Sequence, residues 1–197
     1  MDVTNTKESG LETLIVNYLT QHNGYEEGRN EDYNKEYAID EIRLFRFLQN
    51  TQPEELDKLG IFKNEQKKRS FLNRLQKELF KRGIIDILRN GIKAYPAEFI
   101  MFYLTPDENN EDAKTLFKKN IFSVTRQLHY STDRDKQALD LCIFINGLPV
   151  ITFELKNQLT KQNVEHAVQQ YKDDRTPKEP LFPLNVVWFI LLLTMLE

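Results

Sequence analysis

Cysteine is nearly missing from this chain. Cys142 is the only one in 197 residues, which rules out an internal disulfide framework and a thiolate zinc site. Histidine is scarce too: His22, His129 and His166 are dispersed without metal-ligand spacing. Only 7 glycines occur, none in a G-x-x-x-x-G-K-[ST] pattern, so no loop is built to cradle the phosphates of a nucleoside triphosphate. The opening MDVTNTKESG lacks the basic and apolar regions of a secretion signal, which makes the cytoplasm the simplest expected compartment. The apolar run from Val186 to Leu196 falls well short of the roughly 20 residues of a membrane span, so no membrane association is expected. There is no internal repeat and no low-complexity linker.

What is present is an ordinary soluble composition, 40% hydrophobic and 29% charged, with a net charge of -3. The length suits one sizeable core. The charge is uneven. Segment 65–82 gathers Lys67, Lys68, Arg69, Arg74, Lys77, Lys81 and Arg82 against two acids. A basic face can contact nucleic-acid phosphates whatever the total charge, so Lys67, Lys68, Arg69 and Arg74 are candidate DNA contacts; a solvated helix face is the ordinary alternative.

Helical spacing dominates the first half. Leu11, Leu14, Ile15, Tyr18 and Leu19 follow Ser9, a good N-cap, and Asn23-Gly24 ends that helix. The polar stretch 26–36 reads as a loop. A second helix is predicted over 38–49, with Ile39, Ile42, Leu44, Phe45 and Leu48 on its apolar face. A short third runs from Pro53 to Gly60, and the clearest spans 64–81 with Phe71, Leu72, Leu75, Leu79 and Phe80 inward. Past Gly83 the period changes. Strands are predicted at 97–104, 121–128, 138–145 and 149–156, a brief helix at 111–119, and another at 163–173. The order gives an α/β (α+β) fold with a mixed β-sheet flanked by helices.

Within the strands, charge intrudes on LDLCIFINGLPVITFELKN (139–157) at only three points: Asp140, Glu154 and Lys156. Unpaired charge is costly in a strand interior, so a shared ligand is the reading these residues invite, against a surface ion pair on an edge strand. Side chains alternate along a strand, which puts Glu154 and Lys156 on one face. Asp140 joins them only in one register. A two-residue Asn146-Gly147 turn with uninterrupted pairing sets Asp140 opposite Phe153, whereas a three- or five-residue connection sets it opposite Glu154. The shared site therefore predicts an odd-length loop. Two adjacent carboxylates repel unless a cation bridges them, and Mg²⁺, with Mn²⁺ as a substitute, takes oxygen ligands of this kind together with substrate phosphate. Lys156 would orient water or neutralise charge developing on a phosphate.

These residues lie in DRDKQALDLCIFINGLPVITFELKNQLTKQNVEHAVQQYKDDRTPKEPLF, which resembles the N-terminal nuclease region of the R subunit of type I restriction enzymes. LETLIVNYLTQHNGY, ELFKRGIIDILRNGIK and VTRQLHYS resemble it as well, so the likeness spans about Leu11 to Phe182. The resemblance implies a restriction-endonuclease-like fold and a D…E-x-K nuclease. In it Asp140 and Glu154 are the metal-binding acids and Lys156 is the catalytic lysine. It also implies double-stranded DNA as substrate, methyltransferase and specificity subunits as partners, and ATP used only by motor domains that this sequence does not include. Related nucleases carry Q-x-x-x-Y on the next helix; here Tyr171 matches but Ala167 stands where the glutamine should be, leaving Gln170 as a nearby substitute. Glu12 sits where many relatives place a further acid, and His129 could contact phosphate.

The expected organisation is a helical part over 1–96, a catalytic core over 97–183 and an apolar tail over 184–197. The likeness stops after EPLF, and codons for LNVVWFILLLTMLE permit, one frame over, a peptide close to KRCVVHFAVDNAE of the relatives. A truncation or frameshift is therefore the expectation for the tail, which could still supply a strand. Two other functions fit the residues: a stand-alone repair or recombination nuclease of the same fold, and a non-catalytic module docking DNA or partner subunits.

Overall fold

A computed structural model describes residues 8–107, 110–131, 137–157, 179–182 and 189–195, without the side chains of Glu8, Lys156, Asn157 and 189–195. The chain is mixed α/β. Its helices are α1 (Glu8–His22), α2 (Glu41–Thr51), α3 (Pro53–Leu59), α4 (Glu65–Arg82), α5 (Ile84–Asn90) and α6 (Glu111–Phe117). The main sheet runs in the order β1 (Glu26–Gly28), β6 (Phe122–His129), β7 (Ala138–Ile145), β8 (Leu148–Asn157) and β9 (Phe189–Met195). The two inner junctions are antiparallel and the two outer ones, β1 with β6 and β8 with β9, are parallel. Two small hairpins, β2 (Tyr33–Asn34) with β3 (Ile39–Asp40) and β4 (Ile92–Ala94) with β5 (Ala97–Phe99), complete the described strands.

Local chemistry accounts for the helix ends. Asp40 caps α2 by accepting from the Arg43 N–H at 2.9 Å, and Asn64 caps α4 through Gln66 and Lys67. Pro53 opens α3 and Gly60, at φ 63°, closes it. The main core joins Val16 of α1, Leu44, Phe47 and Leu48 of α2 and Leu72, Leu75 and Leu79 of α4 to Val124, Leu141, Ile143, Phe153 and Leu155 of the sheet.

Several expectations need correction. Ser9 lies inside α1, and Leu14 and Tyr18 face solvent while Val16 is buried, because the helix turns its Leu11–Ile15–Val16–Leu19 side to the sheet. Ile42 and Phe80 are also exposed. Segment 26–36 is not a bare loop: Glu26–Gly28 adds to the sheet, held by the buried Arg43, which donates to Glu26, Asp32, Asp40 and the Glu27 carbonyl. The expected strand 97–104 shrinks to Ala97–Phe99. The helix expected over 163–173 lies outside the described residues. No described helix is long and apolar enough to cross a membrane.

Candidate active site

The β7–β8 hairpin decides whether Asp140 and Glu154 can meet. Its turn is the tight two-residue Asn146-Gly147, both at positive φ (50° and 81°), so the odd-length loop expected from the sequence is wrong. Ile145 pairs with Leu148 and Phe144 with Pro149, the register that would separate the acids. Then the ladder slips: Ile143 pairs with Ile151, so Val150 is a β-bulge, and Cys142–Thr152 and Leu141–Phe153 continue in the new register. Continued one step further, that register would set Asp140 opposite Glu154. The register change comes from the bulge and not from the loop, and Pro149, which has no N–H to give a ladder, sits next to it.

Asp140 then leaves the backbone pattern. The paired residues of the ladder end at Leu141–Phe153, and the Leu155 N–H is taken by Asp140 Oδ2 at 2.6 Å. The carboxylate is thereby fixed against the strand that carries Glu154. On its other side β8 is held along this same segment by β9, with Glu154 opposite Leu192 and Lys156 opposite Thr194. The apolar tail thus contributes a strand, as its Val, Trp, Phe and Ile residues allowed.

A third acid enters through a residue that the sequence pattern did not single out. Gln127, on β6, donates from Nε2 to Asp140 Oδ1 at 3.2 Å and to Glu12 Oε2 at 2.7 Å. One amide group therefore ties β7 to α1. Gln127 has φ 44°, a left-handed conformation unusual for a non-glycine residue, and it is the one step skipped in the β6–β7 ladder between Arg126–Leu141 and Leu128–Leu139. Glu12 is buried, with Arg126 at 4.0 Å. Reading 122–129 against 138–145 in register would have put Gln127 beside Asp140, and that was the available signal.

The remaining candidates divide. The backbone of Lys156 lies in β8, two residues beyond Glu154, while its side chain, with Gln170 and Tyr171, lies outside the described part of the chain. His129 is exposed at the end of β6, its N–H donating to Asn30 Oδ1. Of the basic run, Lys68 pairs with Glu41 and lies 5.0 Å from the Phe45 ring centroid, and Arg74 donates to the Lys93 carbonyl. Both are engaged within the helical half. Cys142 is fully buried, and burial pushes its thiol well above the ordinary range, as befits an inert core residue.

Residues 5–193 match the family described as type I restriction enzyme R protein N terminus. The chain belongs to this family. The match takes in Glu12, Gln127, Asp140, Glu154 and Lys156, and runs past Phe182 into β9. No curated protein matches the chain.

Proposed function

We propose that this R-protein region is a Mg²⁺-dependent DNA endonuclease whose acids are Asp140 and Glu154 and whose catalytic lysine is Lys156. The observation that supports the reading is the bulge at Val150, which shifts the hairpin into the register whose continuation would face Asp140 toward Glu154. Among the described residues no three acidic, histidine or cysteine side chains converge to hold a cation alone. A pair of carboxylates still fits Mg²⁺, which keeps waters and completes its shell with substrate phosphate. When bound, the cation would supply Lewis-acid polarisation of the scissile phosphate.

The chain's own residues do the rest. Asp140 and Glu154 offer hard oxygen donors, and the Leu155 N–H and Gln127 amide hold Asp140 in place. Lys156 neutralises charge developing on the phosphate under attack. Manganese would serve in place of magnesium. In this reading the substrate is double-stranded DNA and the partners are methyltransferase and specificity subunits. ATP is used only by motor domains of the same subunit.

Cleavage of plasmid DNA by an assembled restriction complex containing this region tests the proposal. Glu154→Ala and Lys156→Ala are each expected to lower cleavage by about 10²–10³ or more while ATP hydrolysis persists, since each removes a group that stabilises the transition state. Near wild-type cleavage by either variant would leave a docking module as the better reading.

A further inference from the structure

Away from the acids, α4, the end of α3 and the β4–β5 turn enclose a pocket of about 360 Å³. Lys67, Ser70 and Arg74 occupy one face of α4 at spacings of three and four residues, above the buried Phe71. Lys58 closes one side, and Tyr95, 95% exposed at the turn, stands on the other with Pro96. No acid lines the pocket among the described residues. The neighbouring Glu55 is already taken by Lys58 and by the Glu98 N–H. Arg74 is steadied by its Nε bond to the Lys93 carbonyl, which leaves its terminal nitrogens for another acceptor.

Concentrated positive charge beside a bare aromatic ring is the arrangement that holds an unpaired nucleotide: cations take the phosphate and the ring takes the base face. A duplex, with its bases stacked inside, would use the cations but not Tyr95. We propose that this pocket binds a single-stranded stretch of DNA, with Lys67 and Arg74 on its phosphates and the Tyr95 ring stacked on a base. It would hold a strand that is unpaired or displaced while the acid site acts elsewhere on the chain. The proposal does not depend on cation chemistry at Asp140 and Glu154.

Fluorescence anisotropy of labelled oligothymidylate, with EDTA present to silence the acid site, tests it on the full chain. Each single-strand phosphate contact contributes about −0.7 to the slope of log affinity against log salt, so Lys67→Ala with Arg74→Ala should flatten it by about 1.4. Tyr95→Ala should weaken binding roughly ten-fold with the slope retained, and Tyr95→Phe should restore it. Circular dichroism checks that these exposed substitutions leave the fold intact. An unchanged slope in the double variant, a silent Tyr95→Ala, or a duplex bound as tightly as the single strand would each overturn the proposal. So would inorganic phosphate or thymidine monophosphate competing as well as the strand.

Discussion

At the scale of single residues, Gln127 carries more than its exposed position suggests. Its amide is shared by two carboxylates from different elements, and its backbone is held at φ 44°, a conformation that costs of order 1–3 kcal/mol and persists only where surrounding contacts enforce it. A group that orients a ligand without touching the ligand's partner typically changes affinity or activity by 10–100-fold when removed. Gln127→Ala should therefore raise the Mg²⁺ concentration needed for half-maximal cleavage by that order and leave the unfolding midpoint nearly unchanged. A variant with the wild-type Mg²⁺ dependence would reduce Gln127 to a surface contact. Asp140, Glu154 and Lys156 stand out in the sequence because charge is so rare in those strands. Gln127 does not, because a neutral amide in VTRQLH carries no such cost and acquires meaning only once β6 and β7 are aligned.

At the scale of elements, the β7–β8 hairpin changes register by a bulge where the sequence suggested an odd-length loop. The Asn-Gly signal meant what it ordinarily means, a tight turn with both residues at positive φ. A bulge inside a strand leaves no comparable mark, and Val150 is an ordinary strand residue. The turn is locked from outside as well. Asn146 is buried, donating to the Met101 carbonyl and accepting from the Ile121 N–H, while the Gly147 carbonyl accepts from the Asp40 N–H that precedes α2. A Cβ on Gly147 would stand 2.4 Å from the Asp40 carbonyl and 2.6 Å from the Leu44 nitrogen. Backbone cannot yield there as a flexible side chain would. Gly147→Ala should cost at least about 2 kcal/mol, the upper cost of a left-handed non-glycine residue with the clash added. Urea denaturation measures it, and a loss below about 0.5 kcal/mol would mean that the turn is not packed this way. The ends of α3 at Pro53 and Gly60 were readable because these signals are local, whereas Ser9, read as a cap, lies inside α1. The exposure of Leu14, Ile42 and Phe80 was not, since it depends on which side each helix turns to the sheet.

At the scale of the whole molecule, elements from both ends of the chain meet the β7–β8 hairpin. Glu12 comes from α1, Asp140 and Glu154 from the central hairpin, and the strand bearing Glu154 is paired with β9, formed by residues expected to be a foreign tail. Alternation of helical and strand periods made the mixed α/β class legible; the parallel partnership of β8 with β9 is a long-range pairing that no local pattern encodes. The central claim is that this assembly exists to place two carboxylates on one cation, and calorimetric titration of the full chain with Mn²⁺ addresses it most directly. The expected result is saturable binding by the wild type that is lost in both Asp140→Ala and Glu154→Ala, with all three proteins equally folded. Wild-type Mn²⁺ binding retained by both variants, or no binding by the folded wild type, would contradict it.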